Sequence, residues 1–456
     1  MKLIYGIKDR PKFGQVIVFA IQQLLAIMAA TLVVPVIINS SGSMPVGAPA
    51  MSSAAALLGA GIGTLIYQLF TRFKSPVFLG SSFAFIGSMC AAFAGAVSAQ
   101  AGYLGLIIGA VFAGLVYVVI AIIVKFVGVK WISKLMPAVV SGPTVALIGL
   151  SLAGNAIGDL QTAPAGGSSY VAIICGLVTL AVTMLCATFG KKMIRLIPFI
   201  MGILAGYAVA TIFTIIGNVA GIDALKVINF APLTNLFTNF GISSIVSLPD
   251  FTFVEALKGI KDIDGAYIGT IFAAYAPVAF VVFAEHIADH KNLSTIIEHD
   301  LLEEPGLHNT LLGDGIGSMA GAFFGGCPNT TYGESVGCVA MTGNASVITI
   351  FTTAILAIVI SFLSPFVAFV NTIPSCVMGG VCMALYGFIA VSGLKMIQKV
   401  DLEKNRNLFV VSVILIAGIG GLSVTFGKVT LTTIACALIL GILANLMLGI
   451  KDGKEE

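Results

Sequence analysis

The chain is a succession of long apolar runs, each stopped by Gly, Pro or a charged residue. A hydrocarbon core roughly 30 Å thick needs about 20 apolar residues per spanning helix, so each run predicts one crossing. Seven runs lie near 15–38, 51–70, 77–98, 103–124, 136–157, 169–188 and 197–217. A wetter stretch, 218–265, follows. It holds Asp223, Lys226, Asp250, Glu255, Lys258, Lys261, Asp262 and Asp264, too many charges for a further span. Seven more runs lie near 266–289, 310–325, 327–344, 346–369, 374–394, 407–425 and 429–449. The expectation is an all-α polytopic membrane protein with fourteen transmembrane segments.

The placement of cations tests that count. With the N-terminus cytoplasmic, the inner loops and ends hold Lys2, Lys8, Arg10, Lys12, Arg72, Lys74, Lys125, Lys130, Lys134, Lys191, Lys192, Arg195, Lys291, Lys395, Lys399, Lys404, Arg406, Lys451 and Lys454. Only Lys226, Lys258, Lys261 and Lys428 fall outside. A split of 19 to 4 follows the positive-inside rule, and one missing helix would have scrambled it. Both termini are therefore expected in the cytoplasm. Seven plus seven also starts the second half on the opposite side from the first, as two inverted seven-helix repeats require. A faint echo agrees: the fifth span begins MPAVVSG and the twelfth IPSCVMG, matching Pro137, Val140 and Gly142 to Pro374, Val377 and Gly379.

Composition sharpens the class. The 456 residues are 58% hydrophobic and 9% charged with a mean hydropathy of +1.07, whereas about a quarter of residues are charged in soluble domains. A net charge of +3 gives nucleic-acid binding no support. Cys90, Cys175, Cys186, Cys327, Cys338, Cys376, Cys382 and Cys436 lie mostly in apolar runs without metal-ligand spacing and read as small core residues. No metal, cofactor, nucleophile or phosphate loop is expected, so the chain is not read as an enzyme. The basic start MKLIYGIKDRPKFG precedes an apolar run too long for a signal peptide, and the first helix is read as retained.

Two spans read badly as plain helices. SPVFLGSSFAFIG (75–87) in the third and FFGGCPNTTYGESVG (323–337) in the tenth cluster Gly, Pro, Ser, Thr and Asn at membrane depth. Freed backbone is tolerated there only inside protein or beside a wet cavity. Broken helices at corresponding places in two halves point to a midplane binding site. Close helix packing would account for Gly80 or Gly337 alone, but less well for Pro328, Asn329 and Glu334 together. Buried charge narrows the search, because an ionisable group at mid-bilayer costs at least about 2.5 to 3.5 kcal/mol. The eighth span, APVAFVVFAEHIADHKN, sets Glu285 and Asp289 four apart on one helical face, with His286 and His290 on the neighbouring one. Asp289 and His290 fall near its predicted cytoplasmic end, where a solvated terminus would also explain them; His299 and His308 read as solvated. Glu334 joins from the tenth span. Two carboxylates beside interrupted backbone suit a neutral solute that displays N–H donors and carbonyl acceptors together, as a nucleobase does. No Lys or Arg falls in these segments, which argues against a dedicated anion carrier. The carboxylates also offer a proton-coupling device.

APVAFVVFAEHIADH, GSSFAF and PNTTYGESVG followed by MTG, together with EPGLHNTLLGDG and VMGGVCMALYG, resemble the motifs of the nucleobase–ascorbate transporter family, and are most similar to its bacterial uracil permeases. The likeness runs over nearly the whole chain. It implies short antiparallel strands in broken spans 3 and 10. It implies a core domain from 1–135 and 266–370 (spans 1–4 and 8–11), a gate domain from 136–217 and 371–456 (spans 5–7 and 12–14), and 218–265 as an extracellular or periplasmic connector. It further implies a homodimer in membrane lipid and an elevator-like proton symport. Carried over by residue, Glu285 and Glu334 would accept hydrogen bonds from the base, and the backbone at Phe83 and Gly333 would meet its carbonyls. Ser82, Phe83 and Tyr332 would line the pocket, Tyr386 would approach from the gate, and Glu285 and Asp289 would couple protons.

Departures qualify the substrate. The family's first-span Gln-His pair reads Gln22, Gln23; the histidine four residues after the eighth-span glutamate in uracil permeases is Asp289, as in purine carriers; and the Asn after the tenth-span acidic residue is Ser335. Glu334 itself fits the uracil type. Uracil is ranked first, and xanthine, urate or another purine second. An anion exchanger or channel of similar architecture is the rival from another class.

Overall fold

The computed structural model describes residues 3–128, 137–164, 166–191, 193–238, 240–426 and 429–449. Lys2, Lys130, Lys134, Lys192, Lys428, Lys451 and Lys454 of the charge count lie outside the described residues, as does the start of the fifth span at 136.

The apolar runs become helices. In the first half these are α1 (Phe13–Ser40), α2 (Ser53–Phe70), α3 (Ile86–Ala94), α4 (Ala99–Val127), α5 (Ala138–Ser151), α6 (Ala153–Gln161), α7 (Ser169–Phe189), the single turn α8 (Met193–Leu196) and α9 (Pro198–Ala220). The wet stretch forms only short pieces, chiefly α10 (Ala231–Thr238) and α11 (Thr252–Lys258). The second half gives α12 (Gly265–Ile297), α13 (Leu307–Gly325), α14 (Gly333–Thr342), α15 (Val347–Ser361), α16 (Ser364–Thr372), α17 (Ser375–Ile397), α18 (Asn405–Ile419) and α19 (Thr433–Gly449). Eight helical stretches among the described residues are long and apolar enough to cross a membrane, and three shorter apolar helices accompany them. The 28 residues of α1 rise about 42 Å at 1.5 Å each. Apolar side chains also cover the outside: Val111, Leu115, Val119 and Ile122 make an exposed stripe along α4 at helical spacing. Such a surface suits hydrocarbon rather than water, and the chain is a multi-pass membrane protein.

The third and tenth spans break where the sequence says they should. β1 (Leu79–Ser81) and β2 (Asn329–Thr331) pair antiparallel, with Leu79 opposite Thr331, Gly80 opposite Thr330 and Ser81 opposite Asn329. A second short pair, β3 (Val424–Phe426) with β4 (Val429–Leu431), lies between α18 and α19 and shortens both helices relative to the predicted runs. Two other boundaries differ. α12 runs on to Ile297, so Asp289 and His290 sit inside a helix and not at its end. Most of EPGLHNTLLGDG is helical, α13 beginning at Leu307.

Contacts between elements repeat in exchanged form. α1 packs on α15 as α12 packs on α4; α13 packs on α4 as α2 packs on α15; α7 packs on α17 as α18 packs on α5. α2 meets α13, β1 meets β2 and α5 meets α17, each an element against its own counterpart. Antiparallel pairing of equivalent strands is what a two-fold axis across their direction produces, so the two halves form inverted repeats. Pro137 and Pro374, matched in sequence, are the N-caps of α5 and α17. The α2–α13 crossing is close because Gly63 has no side chain: a Cβ there would lie 2.7 Å from the Gly317 carbonyl oxygen and would also strike the Asn329 amide. Gly337, by contrast, faces open space.

Candidate functional site

Each broken span supplies a helix start. β1 ends in the turn Ser82–Phe83–Ala84 before α3, and β2 runs through Tyr332, the N-cap of α14, into Gly333 and Glu334. The Ser82 N–H donates to the Pro328 carbonyl at 2.9 Å, extending the strand pair into the turn. Tyr332 lies across Gly80, where any Cβ would meet its ring, and its hydroxyl donates to the Ser81 carbonyl at 2.8 Å. Asn329 donates to the Gly59 carbonyl of α2 at 2.9 Å. The first N–H groups of a helix have no partner within it, so both starts present donors to whatever lies before them.

What lies before them is a cavity of about 450 Å³, within the roughly 300–1,000 Å³ typical of small-molecule sites. One wall is polar: Ser82, Phe83, Thr330, Thr331, Tyr332, Gly333 and Glu334 from the broken spans, with Glu285 and Asp289 from α12. The facing wall is mainly apolar, formed by Val145 and Ile148 of α5, Phe199 of α9 and Leu385, Phe388, Ile389 and Met396 of α17, with Ser392 its one hydroxyl. Among the described residues the lining holds no Lys or Arg, and no cluster of His, Cys, Asp and Glu is arranged to hold a metal ion.

The structure thus brings six of the seven candidate binding residues, Ser82, Phe83, Glu285, Tyr332, Gly333 and Glu334, around one space. Tyr386 is not in the lining. It is buried in α17 with its ring edge-on to Phe83, centroids 6.3 Å apart. Glu285 and Glu334 make no side-chain hydrogen bond to another described residue, which leaves their acceptors open to the cavity. Asp289 is partly engaged, accepting the Thr331 hydroxyl at 2.8 Å. The Ser82 hydroxyl has no partner among the described residues.

Behind this wall stands a network that the sequence pattern did not announce. His286 Nδ1 lies 2.6 Å from Asp314 Oδ2 of α13, and its Nε2 lies 3.0 Å from the Thr310 hydroxyl. His290 stacks on His286 with centroids 4.0 Å apart, and its Nε2 lies 2.7 Å from the Tyr67 hydroxyl, itself 2.8 Å from Ser75 Oγ. His286, His290 and Asp314 are fully buried. A lone Asp in the glycine-rich GDG run of a buried helix was the available signal. His299 and His308 are half-buried, so the solvated reading fits them only in part.

Comparisons with known proteins place the whole chain in a family. The Permease family model Xan_ur_permease matches residues 14–427. The uracil permease of Bacillus caldolyticus is 36% identical over 450 residues, covering 98% of this chain and 95% of that protein. The uracil permease of Escherichia coli (strain K12) is 35% identical over 441 residues, covering 96% and 92%. Among solved structures, the transmembrane domain of the cyanobacterial bicarbonate transporter BicA aligns with a TM-score of 0.60 over 97% of this chain and 100% of that one; at 15% identity it shows a shared fold alone. The motif resemblance, the broken helices and the full-length match agree, and the chain belongs to this permease family: it is a transporter and not an enzyme.

Proposed function

We propose that the protein takes up a nucleobase, uracil first, by proton symport with an elevator-type movement. The observation that carries this reading is the pair Glu285 and Glu334, without a side-chain hydrogen bond to another described residue, facing one cavity beside two helix starts and, among the described residues, no Lys or Arg. A nucleobase offers ring N–H donors to the carboxylates and carbonyl oxygens to the backbone at Phe83 and Gly333. The names of the relatives support uracil. Asp289 favours a purine such as xanthine or urate as the second reading. An anion exchanger fits poorly with three carboxylates around the cavity and, among the described residues, no Lys or Arg in its lining.

Proton binding at Glu285 or Asp289 neutralises a charge that the loaded site would otherwise carry through the membrane. The polar wall belongs wholly to the proposed core, residues 1–135 and 266–370, and the apolar wall to the proposed gate, 136–217 and 371–456, with 218–265 as connector. Sliding one against the other would carry the site with the core. It would also break the 3.2 Å hydrogen bond from Ser40 of α1 to Asp159 of α6, which links the two groups. Fourteen spans, cytoplasmic termini and a homodimer complete the proposal. Pairing each short broken segment with its strand supports the span count, and the exposed apolar faces of α7 and α9 suit lipid or a second subunit. Radiolabelled uracil uptake in a base-transport-deficient cell, across pH, with a protonophore and with xanthine as competitor, tests it. Saturable, protonophore-sensitive uracil uptake is expected. Stronger competition by xanthine than by unlabelled uracil would move the assignment to purines.

A further inference from the structure

Glu285 and Asp289 aim at the cavity only while α12 keeps one rotation about its axis. At about 100° per residue, His286 and His290 lie one position round, on the face turned toward α13 and α2. In a bilayer, lipid tails are as apolar as Leu, so apolar packing alone discriminates weakly between rotations of a helix. Polar ties do discriminate, because a slipped helix leaves them unmade.

The ties on this face are specific. His286 Nδ1 and Asp314 Oδ2 are hydrogen-bonded at 2.6 Å, and a carbonyl only accepts, so His290 Nδ1–H donates to the His286 carbonyl at 2.7 Å. Thr310 meets the other nitrogen of His286, and Tyr67 that of His290. Both histidines and Asp314 are fully buried, none lines the cavity, and the proposed transport chemistry uses none of them.

We propose that Asp314 is a positioning residue: through its hydrogen bond to His286 it fixes the rotation of α12 and so the aim of Glu285 and Asp289 into the cavity. It touches no solute. The requirement is for a hydrogen-bonding partner opposite His286 Nδ1. The uptake readout rests on the nucleobase reading; a second readout does not.

Three variants separate positioning from mere assembly. Asp314→Asn keeps a hydrogen-bonding partner for His286 Nδ1, Asp314→Leu removes it, and His286→Phe/Asp314→Leu replaces both partners with apolar groups while keeping a ring on His290. The double variant addresses folding, since a buried polar pair replaced as a unit is tolerated better than one left half-made. Uracil uptake is measured at matched membrane amounts. In parallel, Ala288→Cys, on the cavity face between Glu285 and Asp289, is placed in each background. Labelling of the introduced thiol by a thiosulfonate reagent is followed by peptide mass spectrometry.

The Asn variant is expected to keep its uracil KM within about threefold of the parent, while the Leu and double variants raise it about tenfold or more and slow labelling of the introduced thiol about threefold. Parent-like KM and labelling in the double variant would overturn the proposal, as would a double variant that fails to accumulate, which would assign the pair to assembly. A parent that transports no nucleobase sinks the transport reading instead, and the labelling rate at Ala288→Cys still decides the positioning role.

Discussion

Gln23 of α1 donates its side-chain amide to the Ser335 hydroxyl of α14 at 2.6 Å, and the Phe78 N–H at the head of β1 reaches the same oxygen at 3.3 Å. Both side chains are buried. The motif resemblance marks both positions as departures, and the fold puts them in contact. Changes there should therefore couple. Gln23→His or Ser335→Asn alone is expected to lower uptake about tenfold by overpacking, and the double variant to recover to within about threefold. Initial uptake rates for the four proteins check this; strictly multiplicative effects would deny the coupling.

Glu285→Gln and Glu334→Gln each keep shape but remove a charge-assisted acceptor. Hydrogen bonds to charged groups contribute about 1.5–3 kcal/mol, so each variant should lose roughly 10- to 150-fold in uptake efficiency at normal membrane abundance. Parental rates in either would remove that residue from the site.

Asp289 is held by Thr331 and so is less free to meet a solute than Glu285. Asp289→Asn is expected to flatten the pH profile of uptake while changing uracil KM less than about threefold. Thr331→Val should affect both, since it frees the carboxylate to turn. A pH profile of uptake for each variant decides; an unchanged profile in Asp289→Asn would assign Asp289 a structural role.

The sequence showed the helical runs, the charged stretch without a long helix between them and the two breaks, because apolar length and turn chemistry are local properties. Charge at membrane depth also marked Glu285 and Glu334, while Ser82, Phe83, Tyr332 and Gly333, which share their cavity, came from the motif resemblance. Three things were hidden. β3 and β4 lie in an apolar stretch whose composition does not separate strand from helix. The apolar wall from Val145, Phe199 and Phe388 looks like any core. The pairing of His286 with Asp314 spans 28 residues and depends on how two helices cross, which no local pattern encodes.

Close backbone contact makes another prediction. Gly63→Ala drives a methyl group into the Gly317 carbonyl and Asn329, at the foot of β2. Overpacking costs about 1–3 kcal/mol, so the variant should melt several degrees lower and lose uptake. Gly337→Ala, with nothing within 4 Å, should match the parent in both. Thermal melts in detergent compare them.

Outside the membrane, Lys74 lies 2.7 Å from Glu304 and holds its carboxyl below the ordinary range. A depressed folded value means that the contribution is present at neutral pH and lost as pH falls through the carboxylate range. Lys74 is partly and Glu304 well exposed, so Lys74→Met should shift the neutral-pH melting temperature by no more than about 2 °C, and by less at pH 4.

The pairing of Leu79 with Thr331 also bears on how the protein is made. Translation at about 5–20 residues per second puts roughly 12 seconds or more between the emergence of β1 and that of its partner some 250 residues later. Until then the unpaired edge of β1 cannot face hydrocarbon, so the insertion machinery or the nascent chain must shelter it. A truncated chain that ends before Pro328 would keep that edge open, and would be a substrate for quality-control proteolysis rather than a smaller carrier.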